Sequence, residues 1–120
     1  MGQAARRGNP IPSDVRLGVD ARDQRRCVRC GATSRALHHR QRRREGGHGF
    51  ENLISLCGQD HRWAHANPSE ARAAGYIVSV HTDDIEAVPI LTYYGWVRLM
   101  TDRSIQWVPE KNGVVPEPPT

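Results

Sequence analysis

A chain of 120 residues is enough for one small domain with its tails, and its 38% hydrophobic content, with a single Phe, limits the core it can bury. No run approaches the roughly 20 apolar residues of a membrane span, and the N-terminus lacks an apolar signal core, so we expect no membrane association and a cytosolic protein. The formal net charge is +4, from 17 Lys+Arg against 13 Asp+Glu, and it is unevenly spread. Residues 1–75 hold 14 basic residues against 7 acids, whereas residues 76–120 hold 3 against 6. Nine arginines fall between Arg22 and Arg44 beside one acid, Asp23. Guanidinium groups fork onto two phosphate oxygens at once, so this density suits nucleic acid; a solubilising basic face is the plainer alternative.

Residues 1–12 are rich in Gly, Arg and Pro without periodicity and read as a disordered basic arm. Ser13 is placed to cap a helix running to about Arg22, with Val15 and Val19 on one face and Leu17 off it. Cys27-Val28-Arg29-Cys30-Gly31 is a knuckle, in which two thiolates three positions apart reach one ion when the chain turns tightly between them. Three cysteines cannot all pair, and this spacing favours a metal over a disulfide. Ala36 to His39 and Leu53 to Leu56 read as two short antiparallel strands. They are joined by a long loop containing Arg40–Glu45 and Gly46-Gly47-His48-Gly49.

A helix is predicted from about Gln59, with Asp60 near its start. Asn67-Pro68 stops it and opens another helix, which Gly75 ends. Residues 76–108 change character. Tyr76–Val80, Ile90–Tyr94, Trp96–Met100 and Ile105–Val108 read as strands, with Gly95 at a bend and Thr101–Ser104 as a hairpin turn. Residues 109–120, with four prolines, read as a disordered tail.

Taken alone, His38-His39 reads as two solvent-facing histidines in a basic stretch. His61 and His65 change that. Four apart on one helical face, they form a ready chelate for a divalent ion. With His38 they offer three neutral nitrogens and an open position, which suits catalysis better than a closed structural site. His39 then remains as a base able to take a proton from water near neutral pH. Asn52, across the loop, has an amide that both donates and accepts, so it can tie two segments of a Gly-rich loop together. An ordinary turn asparagine is the alternative.

The ordered set C-x2-C-G, His38-His39, Gly46-Gly47, Asn52-Leu-Ile-x-Leu-Cys57 and helix histidines resembles the HNH endonuclease family over Cys27 to about His65. The resemblance implies a ββα-metal core; with the elements read above, the expected fold is α+β, a small ββα-metal (HNH) core (residues 13–75) with a zinc-knuckle-like CxxC and a C-terminal antiparallel β extension (residues 76–108). It implies metal-dependent hydrolysis of DNA phosphodiester bonds. The commonest family pattern has Asp-His where this chain has His38-His39. The DNase domains of colicins carry His-His there, with two helix histidines four apart. Carried over, His38, His61 and His65 are ligands of a catalytic divalent metal (Mg, Mn, Ni or Zn), His39 is the general base, and Asn52 orients that base through the loop.

Many members hold a structural zinc on two C-x2-C pairs. Here the second pair is Cys57 and Asp60, so the expected zinc set is Cys27, Cys30, Cys57 and Asp60, with a histidine or water as alternative fourth ligands. His61 cannot easily serve both ions, and the helix pair claims it for the catalytic one. Arg40, Arg42, Arg43 and Arg44 follow the first strand and are expected to grip DNA phosphates. Asn67-Pro68-x-Glu70-Ala71-Arg72, Gly75-Tyr76-Ile77-Val78-Ser79, Val88-Pro89 and Gly95-Trp96-Val97 resemble small HNH proteins of bacteriophages infecting actinobacteria. This resemblance implies work in the host cytoplasm, with a phage terminase as an expected partner. A non-catalytic zinc-knuckle protein that binds nucleic acid is the rival reading.

Overall fold

Two antiparallel sheets and three helices of an α+β fold carry the described residues, 10–42 and 46–109 of a computed structural model. The basic arm expected at residues 1–12 lies outside them up to residue 9, as do Arg43, Arg44 and the tail from residue 110. Helix α1 spans Ser13–Arg22. Its first turn is closed by the Pro12 carbonyl, which accepts from Val15 and Arg16 N–H at 3.1 and 3.0 Å, and the Ser13 side chain makes no cap bond. The apolar spacing acts as expected, for Val19 is fully buried and Leu17 is 69% exposed.

Strand β1 (Ala36–His39) pairs antiparallel with β2 (Leu53–Leu56), setting His38 opposite Ile54 and His39 opposite Leu53. All four β2 residues are buried, with α1 packed against the strand and Ile54 and Leu56 in the core shared with the second sheet. The α1 end is tied to β2 by a buried Arg22–Asp23 pair. Arg22 donates to the Phe50 and Leu53 carbonyls, and Asp23 accepts the Ser55 N–H at 3.0 Å. Both charges are therefore paired and hydrogen-bonded, which is the condition under which ions are tolerated in a core.

Helix α2 spans Gly58–Ala66 and α3 spans Pro68–Ala73, with Pro68 at the first helical position, where its missing N–H costs nothing. Asn67 does not cap α3 with its side chain; its amide reaches back to the Trp63 carbonyl at 3.0 Å. The strand expected at Tyr76–Val80 is absent. Tyr76 N–H goes to the Ala71 carbonyl and Val78 N–H to Arg40, so these backbone groups are used in closing α3 and in a single cross-link, not in a ladder. After a 3-10 turn at Ile85–Ala87 come β3 (Ile90–Thr92), β4 (Gly95–Leu99) and β5 (Ile105–Trp107), an antiparallel sheet in that order. Both sheets share one core. Val28 and Ile54 from the first part cluster with Tyr76, Ile90, Val97 and Leu99 from the second, and Tyr93 N–H donates to the Val28 carbonyl.

Arg40 departs most from expectation. It is 2% exposed, and its guanidinium donates to the carbonyls of Gly75, Glu51 and Val88 at 2.8, 3.0 and 2.7 Å. Burial lowers its pKa to about 10, which leaves it charged at neutral pH. A side chain so enclosed cannot grip a phosphate; it clamps three loops together. Replacing Arg40 by leucine strands three acceptors, so we expect a loss of about 3–5 kcal/mol in urea unfolding. A loss below about 1 kcal/mol would mean the clamp is dispensable.

Candidate metal centres

Two clusters of metal-capable side chains flank α2. The first joins Cys27 and Cys30 of the knuckle to Cys57 and Asp60, with all ligand atoms within 4.8 Å of one another. Local backbone explains the gathering. Gly31, at φ +82°, turns the knuckle back so that its N–H reaches the Cys27 carbonyl, and Val28 N–H pins the turn to the Ser55 carbonyl on β2. Cys57 caps α2, its sulfur accepting the Asp60 N–H at 3.4 Å, which swings Asp60 inward.

The spacing fits a tetrahedral ion. Cys30 and Cys57 sulfurs are 3.7 Å apart, against an edge of about 3.8 Å for thiolates at zinc distance. Asp60 divides its oxygens: Oδ2 lies 3.2 Å from the Cys27 sulfur, while Oδ1 accepts from Arg29 at 2.7 Å. Arg29 is itself stacked 3.6 Å above the Trp63 ring, an outer contact that orients the carboxylate. Burial raises the Cys27 thiol; burial, with the adjacent Asp60 and thiols, pushes Cys30 up to about 12. Burial alone would raise Asp60 too, but hydrogen bonds from Cys27, Cys30 and Arg29 outweigh it and hold it low. The thiols therefore carry protons that a cation must displace, so metal affinity at this cluster rises with pH. Exchanging the hard carboxylate for a fourth thiolate in Asp60→Cys should tighten zinc at least about tenfold in competition with a chromophoric chelator, and raise the melting temperature. Equal affinity in the two proteins would show that position 60 is not a ligand.

The second cluster is His38, His61 and His65, again within 4.8 Å. His61 and His65 stand one turn apart on α2 with their Nε2 atoms 3.3 Å apart, matching the edge of about 3.3–3.4 Å expected for two imidazoles on one zinc-sized ion. His38 enters from β1, its ring centroid 5.2 Å from that of His61. It is 7% exposed, and its Nε2 lies 3.0 Å from the Tyr76 carbonyl. A carbonyl only accepts, so Nε2 carries the proton and the lone pair of the neutral ring sits on Nδ1. Burial, reinforced by His61, His65 and Arg40, lowers the His38 pKa to about 4, and burial and His65 lower that of His61. Both rings are thus biased toward the neutral form that ligates a metal.

His39, one residue on, lies outside this triad, because strand neighbours face opposite ways. Its Nε2 lies 3.0 Å from Nδ1 of His48 in the glycine loop. Sequence reasoning missed His48; a histidine in a Gly-rich loop carries no local signal of what it meets across the ribbon. Asn52 ties the loop as expected. Fully buried, its Oδ1 accepts the Gln41 N–H at 2.7 Å, and its Nδ2 donates to the Gln41 and Gly47 carbonyls at 2.9 Å each. Arg42 is exposed beside this loop, and Arg43 and Arg44 lie outside the described residues.

No protein-family model, curated protein or solved structure matches the chain. Among the described residues, no helix is long and apolar enough to cross a membrane.

Proposed function

We propose that the protein is a metal-dependent endonuclease of the HNH type that hydrolyses DNA phosphodiester bonds. The observation that carries this reading is the His38, His61 and His65 triad on β1 and α2, with His39 next along the strand and Asn52 bracing the intervening loop. The ribbon and following helix (β1, β2, α2) have the order that a ββα-metal core requires. A donor set of three imidazoles suits borderline ions such as Zn or Ni better than Mg or Mn, which would need added oxygen ligands.

His39 takes the proton from the attacking water. The water oxygen bonds to phosphorus as the bond to the 3′ oxygen breaks, leaving a 5′-phosphate and, once that oxygen gains a proton from solvent, a 3′-hydroxyl. A divalent ion held by His38, His61 and His65 would supply Lewis-acid stabilisation of the charge growing on the leaving oxygen. Asn52 holds the two loop ends, so that His39 meets the phosphate from a braced strand. Exposed Arg42 and the positive charge of residues 1–75 supply contacts to flanking phosphates, with a steep loss of binding in salt. The cysteine cluster holds a structural zinc beside the catalytic helix. The resemblance to phage proteins offers the DNA-packaging terminase as partner and the host cytoplasm as the place of action.

The test is nicking of supercoiled plasmid by the full chain in chelator, then with Mg, Mn, Ni or Zn. Metal-dependent nicking supports the reading. DNA binding without nicking under any metal favours the second reading, a non-catalytic zinc-knuckle protein, for which the Cys27, Cys30, Cys57 and Asp60 cluster is the supporting observation.

A further inference from the structure

The glycine loop is built to deliver one side chain. Asn52 bonds both backbone groups of Gln41, two residues past His39, and also the carbonyl of Gly47, the residue before His48. A side chain at Gly46 would put its Cβ 2.5 Å from the Asn52 amide nitrogen, so only glycine allows the loop to lie against that amide. Gly47 follows at φ +71°, reversing the chain, and Asn52 N–H closes the turn onto the Gly49 carbonyl at 3.0 Å. These ties all use backbone and the Asn52 amide. None uses the His48 ring, which is instead brought to His39, Nδ1 to Nε2 at 3.0 Å, with ring centroids 5.2 Å apart and planes 49° to each other.

We propose that His48 is a positioning residue for His39, holding its imidazole in one orientation for its work as base; this rests on the nuclease reading above. The chemistry of paired imidazole nitrogens makes the contact selective. For His39 to keep an Nδ1 lone pair for water, its Nε2 must carry the proton and donate to His48 Nδ1, so His48 as acceptor selects the working tautomer and rotation of His39 costs the bond. His48 belongs to neither metal cluster, so its role is separable from metal binding. A free-standing base on a strand end rotates about two side-chain torsions; this one is held from across the ribbon by a loop that is itself anchored beside it.

The experiment compares the full chain with His48→Ala, His48→Asn and, as control, the exposed His81→Ala, in plasmid nicking under the best metal. We expect His48→Ala to lower kcat about tenfold to a hundredfold with KM for DNA and melting temperature unchanged. His48→Asn returns an amide atom near the position of Nδ1 and should recover most of the loss. A second readout needs neither metal nor turnover: in metal-free protein the ring-nitrogen NMR shifts of His39 should move in His48→Ala and stay fixed in His81→Ala. An unchanged kcat in His48→Ala overturns the proposal, as does an equal loss in both His48 variants with a lower melting temperature, which would mark a purely structural role. Wild type that nicks beside a fully active His48→Ala removes this inference alone; wild type that fails with every metal removes the nuclease reading and this inference with it.

Discussion

Replacing His39 by alanine is expected to reduce metal-dependent nicking by about 10²–10⁴-fold while leaving fold, zinc content and DNA binding in place. The separation of effects follows from geometry. His39 is absent from both ligand clusters, and the loop that carries its partner His48 is tied independently through the Asn52 amide. His38→Ala should behave differently. It removes a buried triad member and strands the Tyr76 carbonyl, so it should weaken metal binding at the imidazole cluster along with activity. Full nicking by His39→Ala would mean that the base is another group and would overturn its assignment here.

The second large effect is thermodynamic. Zinc added to reduced, metal-free protein should raise its stability by about 4 kcal/mol at a free concentration near 1,000 times Kd. For a domain of this size that is a shift in melting temperature of about 15–30 °C. The cysteine cluster brings the knuckle to the start of α2, 27 to 33 residues on, and an ion there would close that long loop and restrain an otherwise modest core. The pH dependence has a definite sign. The Cys27 and Cys30 thiols are raised, so binding releases protons and the zinc-induced shift grows as pH rises. Calorimetric scans with and without zinc at two pH values check both statements. A zinc-independent melting temperature would mean that the four side chains form a metal-free polar cluster.

The features legible in the sequence are those encoded by short spacing. C-x2-C with a following glycine gave the knuckle, the four-residue interval placed His61 and His65 together, and a lone asparagine after a Gly-Gly loop suggested the tie that Asn52 makes. A run of arginines reads as surface, yet Arg40 lies inside. The corrective signal was available: Arg40 shares strand parity with His38, so it follows that residue into the interior. Tyr76–Val80 has the composition of a strand, yet its position directly after α3 leaves its backbone bonded to Ala71 and Arg40, a tertiary outcome that propensity does not foresee. The His39–His48 contact spans a loop whose path depends on Asn52, so it emerges only in three dimensions.

Helix α2 contributes consecutive residues to different clusters, Asp60 to one and His61 to the other. Successive helical positions are separated by about 100° around the axis, so the azimuth that aims one aims the other. The helix is thus a shared axle, and ions bound at both clusters would be linked through it. An ion that changed the helix's rotation at the cysteines would change the aim of the imidazoles, and by reciprocity an ion on the imidazoles would alter affinity at the cysteines by the same factor. An affinity measured at one cluster would then depend on the occupancy of the other.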